Sequence, residues 1–423
     1  MIISSRIMPA ILTLVKKYRK VIFFFLLAAL IIPEITVYFN PNSVRGKDVH
    51  GYIEAGHNAL KVGELYKFSP ANTWPPFFSF FSIPLALCND LLGLPLTKVL
   101  WYFLNFIAFV FSMKIMMLML YKKRAAFFPG GGFDFTSDRI FVPFFLVLPA
   151  FIATFYWLQI NMLLLLLIIS GLFFYNNQKE WKAGFFFGLA ASIKAYPGLF
   201  LIYFLLRKQW KAAIATLLWS IAFTVSPMLF YGFEKFTVLM TEWISMSLFK
   251  PLGPDYVSTY NQSLYAFWER LLVHQLYIVE TAPSRLINIA NYCSIALIAI
   301  FSFSSILKVP HKRGSVSGMI EFSIICVMMI MFPPIAWRHY WVLLLPATVS
   351  IYYCMRMIPG VTTPLVRYLL FIYVILMGIP YFFSRTPVGE FFKFYSCYTI
   401  AALAILAILL ILHRNCSLQH SDS

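Results

Sequence analysis

Apolar stretches follow one another along the whole chain, each bounded by cations, prolines or short polar turns, and this leaves few folds open. The stretches fall at about residues 20–38, 98–121, 140–157, 161–175, 182–206, 212–231, 286–307, 319–336, 340–357, 365–383 and 392–412. At ~1.5 Å of rise per residue, each reaches or nearly reaches across ~30 Å of bilayer hydrocarbon. A water-soluble domain cannot hide so much apolar surface: 61% of the 423 residues are hydrophobic and 19% are aromatic. Backbone groups in hydrocarbon must be paired within the spanning element, which leaves helices or closed barrels. The two-residue alternation of a barrel is absent. The pattern predicts an all-α polytopic membrane protein with about 11–13 transmembrane helices, folded as a single domain over 1–423 with no soluble module.

The net charge of +18 does not point to nucleic acid, because of where the cations stand. They gather at 16–20, 122–124, 207–211 and 311–313, between apolar stretches. That is the positive-inside pattern, for which membrane lipid is partner enough. The N-terminal basic run is then inside. The first apolar stretch lacks a small-residue cleavage site at 32–35 and reads as a retained helix, not a signal peptide. It delivers a long first loop, 40–97, to the outside. Within that loop, 74–92 carries Pro84 and Asn89-Asp90 and reads as surface-lying helix, not a clean span. Stretch 182–206 has cations on both flanks and reads as two half-helices broken at Lys194-Ala195-Tyr196-Pro197. Full spans at 74–92 and 182–206 are the alternative, at the cost of placing 122–124 outside. In both versions a second large loop, 232–285, is outside. The six cysteines are scattered without metal spacing, predicting neither a disulfide framework nor a zinc site. Gly130-Gly131-Gly132 lacks the GK[ST] that a phosphate loop needs.

The first loop opens on Gly46-Lys47-Asp48-Val49-His50-Gly51-Tyr52 and runs on to Trp74-Pro75-Pro76. The spacing of Val49, Tyr52, Ile53 and Leu60 predicts a helix over about 48–65. Asp48 stands at its start, as a simple cap or as a functional carboxylate. The same topology puts Gln159-Ile160-Asn161, Lys194, Tyr196, Asn261-Gln262-Ser263 with Arg270, and Arg338-His339-Tyr340 on the same side. A buried cation such as Lys194 is costly unless it snorkels, pairs, or meets an anion such as a lipid-linked phosphate. His339 is a turn residue at the interface or an acid–base group. Trp337 and Tyr340 form a headgroup-level belt or a sugar-stacking wall. Only 16 residues are acidic, so a lone carboxylate in a cationic outer loop stands out.

Several patterns in order resemble one family. The first is Asp48, Tyr52, Ala55, Gly63, Leu65-Tyr66 and Trp74-Pro75-Pro76. The second runs from Gln159-Ile160-Asn161 through Gly184, Gly188-Leu189-Ala190-Ala191, Lys194 and Pro197 to Arg207-Lys208-Gln209-Trp210. Asn261-Gln262-Ser263-Leu264 with Arg270, and His339-Tyr340 with Pro346, complete the set. Together they resemble the polyprenol-phosphate-mannose-dependent mannosyltransferases of glycosyltransferase family 87, within the GT-C superfamily. The resemblance implies a GT-C fold whose catalytic aspartate lies in the first external loop, here Asp48. It implies inverting transfer of a hexose, mannose by preference, from a polyprenyl-phosphate-sugar donor to a lipid-linked or glycan acceptor outside a bacterial cytoplasmic membrane. It makes His339 a second catalytic residue and Lys194, Arg270 and Arg338 the donor-phosphate contacts. Tyr52, Trp74, Gln159, Asn161, Tyr196, Asn261, Gln262 and Tyr340 are the implied substrate contacts. His50 occupies the i+2 position where some GT-C enzymes carry a second acid, so no metal or other cofactor is expected. The alternative is a transporter or flippase of a lipid-linked saccharide. The broken segment at 194–197 favours it, and the lack of paired repeats opposes it.

Overall fold

A computed structural model describes residues 45–61, 65–66, 74–121, 137–246, 258–275 and 285–418, with a few isolated positions between 13 and 32. Most of the first apolar stretch, the cations at 122–124 and the triple glycine lie outside the described residues. Among the described residues the regular structure is helical, apart from one isolated bridge between Asn261 and Trp337. Six helices are long and apolar enough to cross a membrane: Leu94–Tyr121, Asp138–Trp157, Trp210–Tyr231, Arg285–Lys308, Pro364–Phe382 and Cys397–Cys416. Pro76–Leu92, Asn161–Asn176, Tyr196–Leu206 and Val316–Met331 are shorter apolar helices. The protein is an all-α integral membrane protein.

The helices group into two compact units, one of Leu30–Ile115 with Ala153–Pro251, the other of Met1–Ala29, Met116–Ile152 and Leu252–Ser423. The first unit opens with α1 (Lys47–Leu60), then α2 (Pro76–Phe81) and α3 (Ile83–Leu92), which meet at a break on Ser82. Stretch 182–206 is broken where the sequence predicts: α4 (Glu180–Ile193) stops at extended Lys194, a 3₁₀ turn follows at Tyr196–Gly198, and α5 (Leu199–Leu206) resumes. Pro197 sits within that turn, where it has no amide hydrogen to offer a continuing helix. α4 packs hard against α6 (Trp210–Val225) along Gly184 and Gly188. A Cβ on Gly184 would stand 2.5 Å from the Ala215 carbonyl carbon, and one on Gly188 would stand 2.7 Å from Ser220 N. This G-x-x-x-G spacing lets two backbones approach where no lipid-facing hydrophobic force drives them together. Ser192 ties the pair further, donating to Gly188 O and lying within 3.2 Å of Ser220 O and Thr224 Oγ1. Under α1, Ala59, Leu65, Tyr66 and Leu239 make a buried cluster.

In the second unit the stretch predicted over 340–357 begins as a 3₁₀ segment at Arg338–Leu344 before helix Leu345–Met357. The preceding helix stops at Met331, ahead of Pro333-Pro334. Buried Glu321 lies between two imidazoles, 3.4 Å from His311 Nδ1 and 3.3 Å from His413 Nε2. A carboxylate at that depth needs such partners.

Candidate active site

Asp48 does not cap its helix. Gly46 holds the N-cap position in the left-handed region at φ 67°, and no side chain caps the backbone there. Asp48 lies in the first turn, half-buried, with its carboxylate turned away from the helix toward the loop between Trp157 and Asn161. Gln159 Nε2 donates to Asp48 Oδ2. The reading of Asp48 as a simple helix cap therefore does not hold.

The loop that holds it is tightly built. Leu158 adopts φ 54°, a conformation costly for a branched side chain. Its carbonyl accepts from Trp101 Nε1 at 2.8 Å. Gly46 N donates to Tyr156 O at 2.9 Å, and a Cβ on Gly46 would meet Leu158 Cδ1 at 2.7 Å. The Gly46 turn and the Leu158 turn therefore interlock, and only glycine fits the first of them. Lys98 and Arg45 add to the joint: Lys98 Nζ donates to Arg45 O at 2.9 Å, and the Arg45 guanidinium lies 4.9 Å from the Tyr156 ring centre.

With Asp48 the structure brings together six other predicted residues. Tyr52, one helical turn on, is 1% exposed and donates its hydroxyl to Gln159 Oε1 at 2.9 Å. Its ring is enclosed by Trp74, Phe78 and Trp101, with centroids at 5.1, 5.2 and 5.8 Å. Asn161, fully buried at the start of helix Asn161–Asn176, accepts from Lys194 Nζ at 2.9 Å. The Lys194 ammonium lies 5.9 Å from the ring centre of half-buried Tyr196. Burial lifts the Asp48 carboxyl above its ordinary value, while the Gln159 bond and the charges of Lys194 and Lys47 oppose the rise. His50, two residues on, is pushed toward its neutral form by desolvation and by Lys98 and Lys47. A half-buried carboxylate beside a buried ammonium, in a loop of polar side chains, can accept a proton and hold an anion.

The remaining predicted residues belong to the second unit. Asn261 and Gln262, expected to touch substrate, are turned onto the protein's own backbone. Asn261 Nδ2 donates to Pro334 O, while its Oδ1 accepts from Ser263 N and Ala336 N. Gln262 Nε2 donates to Thr259 O and Lys393 O, each at 2.8 Å, and Oε1 accepts from Tyr398 N. Both amides clamp separate segments together. Arg270, expected on the donor phosphate, is 1% exposed. It donates to Ser258 O, Asn261 O and Ser396 Oγ at 2.6–3.1 Å. Burial pushes its guanidinium down to about 10, with Glu269 opposing. The protein's own oxygens take up both terminal nitrogens of this guanidinium. Arg338 lies 5.6 Å from the Tyr381 ring centre, and buried His339 lies 5.1 Å, centroid to centroid, from Tyr340. Among the described residues no group of three or more His, Cys, Asp or Glu side chains is arranged to hold a metal ion.

Two features of the site escape sequence reading. Trp101 and the left-handed Leu158 carry no pattern of their own, since one is a tryptophan in an apolar helix and the other a leucine among leucines.

The family model for glycosyltransferase family 87 matches residues 72–334. The match takes in Gln159, Asn161 and Lys194; Asp48 stands before it and His339 after it. A polyprenol-phosphate-mannose-dependent alpha-(1-2)-phosphatidylinositol pentamannoside mannosyltransferase of Mycolicibacterium smegmatis is 24% identical over 327 residues, covering 73% of this chain and 70% of that protein. The crystal structure of ArnT from Cupriavidus metallidurans bound to undecaprenyl phosphate aligns over 93% of this chain and 78% of its own, at 14% identity and a TM-score of 0.38. A likeness at that score fixes neither the fold nor the site.

Proposed function

This chain belongs to glycosyltransferase family 87, and on that premise we propose that it transfers mannose from a polyprenyl-phosphate donor, with inversion, to a lipid-linked or glycan acceptor on the non-cytoplasmic face of a bacterial cytoplasmic membrane. The sugar and its carrier are supported by the name of the Mycolicibacterium smegmatis relative. The observation that carries the reading is the placement of Asp48, held by Gln159 and drawn on by the charge of Lys194.

In this reading Asp48 is the general base. It takes the proton of the acceptor hydroxyl as that oxygen attacks the anomeric carbon. The bond from that carbon to the phosphate oxygen breaks, and the electron pair leaves with the polyprenyl phosphate. Positioning such a base contributes ~10²–10⁴-fold. The leaving phosphate gains a negative charge, which the Lys194 ammonium stabilises most at the transition state. Asn161 keeps that ammonium in place. Trp74 and Tyr196, half-buried rings beside these groups, suit the faces of a sugar. Arg338, His339 and Tyr340 keep the parts the family resemblance gives them, each open to test by substitution.

The test uses purified full-length protein in detergent with polyprenyl-phosphate mannose and a total lipid extract of the source membranes. Release of polyprenyl phosphate and gain of one hexose by a lipid are read by mass spectrometry. Wild type is expected to turn over and Asp48→Asn to lose at least a hundredfold while folding normally. Full activity in Asp48→Asn would remove Asp48 from the chemistry. Movement of a lipid-linked sugar across sealed vesicles without hexose transfer would favour a flippase.

A further inference from the structure

We propose that Tyr52 and Gln159 form a two-residue relay that fixes which oxygen of Asp48 meets the acceptor, with Tyr52 as a positioning residue that never touches substrate. This deepens the reading above and rests on Asp48 being the base.

The sense of each bond follows from what each group can do. An ionised carboxylate only accepts, so the end of Gln159 facing Asp48 Oδ2 is its Nε2 amide. The opposite end, Oε1, also only accepts, and it faces the Tyr52 hydroxyl at 2.9 Å. Tyr52 therefore gives its single proton to Gln159. The Tyr52 oxygen in turn accepts from Ile160 N–H at 3.3 Å. Donation runs one way, from the backbone through a phenol and an amide to the carboxylate. The relay has little freedom to move, because Tyr52 is 1% exposed within its three aromatic neighbours and Gln159 is 9% exposed. If the amide turned over, its oxygen would face a carboxylate and its NH₂ would compete with Ile160 N–H for the phenol oxygen.

The relay assigns separate tasks to the two oxygens of Asp48. Oδ2 stays engaged by Gln159 throughout. Oδ1 receives the hydroxyl proton as the new glycosidic bond forms and the carbon–oxygen bond to phosphate breaks. The hydrogen bond from Gln159 favours the charged carboxylate over the acid. The charged groups acting on Asp48 are Lys47 from its own helix and Lys194 from the end of α4, both also favouring the carboxylate. His50, two residues on in the same helix, answers instead to Lys98 and Lys47.

The test is the pH dependence of kcat in the detergent assay, read as release of polyprenyl phosphate from polyprenyl-phosphate mannose. Gln159→Leu is expected to move the acid limb to higher pH by roughly one unit and to lower kcat about tenfold or more. Tyr52→Phe is expected to move the limb the same way by less. The double variant is expected to match Gln159→Leu within about twofold, because both changes break one chain. Gln159→Met, closer in shape, replaces Gln159→Leu if that protein fails to fold. Independent, multiplying effects of the two changes, or a limb that stays in place, would overturn the relay while leaving Asp48→Asn inactive. Full activity in Asp48→Asn would instead remove the base itself, and the relay with it.

Discussion

Two buried cations of this chain differ in surroundings, and the proposed difference in their work is measurable. Arg270 is enclosed by protein oxygens beside buried Glu269, which also bonds His274 at 3.1 Å. Arg270→Ala leaves that carboxylate short of a positive neighbour and is expected to cost about 3 kcal/mol or more of stability. The KM for donor in surviving enzyme should be little changed, as a thermal melt beside steady-state kinetics will show. Lys194→Met removes an ammonium that meets the Asn161 amide oxygen and the field of Asp48. It is expected to leave the melting temperature level or higher and to lower kcat/KM ~10²-fold. Burial sets the pH behaviour of Asp48. Its carboxyl lies above the ordinary 3.8, so the base is lost as pH falls through that raised value, and the acid limb of activity should lie above 3.8. Stability runs the other way. The folded protein holds the Asp48 proton more tightly than the unfolded chain, so the ionised form is a burden at neutral pH and Asp48→Asn should melt no lower than wild type. The sequence singles out Asp48 and Lys194 as candidates because charge amid apolar residues is costly and needs a reason. Their partners were not. Tyr52 and Gln159 stand 107 residues apart, and nothing in either neighbourhood names the other. Asn261, Gln262 and Arg270 read as ligands in the sequence, and only the structure shows the backbone carbonyls to which they donate.

At the scale of elements, breaks were easier to foresee than lengths. Pro197 lacks an amide hydrogen, and the helix breaks beside it as expected, whereas the stretch read as 319–336 ends early, at Met331 ahead of Pro333-Pro334. Pro84 marks the irregularity of 74–92 in the sequence, and it stands in the first turn of α3, just after the break at Ser82. The close approach of α4 and α6 was half visible, since Gly184 and Gly188 have the right spacing but do not say which helix they receive. Gly188→Leu would drive a side chain into the Trp219–Ser220 backbone. It is expected to cost about 1–3 kcal/mol, read as a drop in melting temperature. Gly198→Leu, with nothing within 4 Å of its added Cβ, should cost much less.

For the whole molecule, the membrane class followed from apolar content alone, and the all-helical architecture from backbone pairing. The grouping of helices into two units did not, because units arise from contacts that sequence periodicity does not encode. Sidedness belongs to the reading and has its own test. In a cysteine-free background, Lys47→Cys should react with a membrane-impermeant maleimide in right-side-out vesicles, and Lys208→Cys only in inverted ones. Both lysines are exposed. The reverse pattern would put Asp48 on the cytoplasmic face.

The joint between the Gly46 turn and the Leu158 turn also sets a timetable for biogenesis. Asp48 leaves the ribosome early, yet the amide that steadies it lies 111 residues later. Until that later loop has been synthesised and delivered to the same side of the bilayer, the carboxylate has no holder. A nascent chain stalled before residue 159 should therefore be inert, and the activity should switch on only when the insertion machinery has released both ends of the clasp.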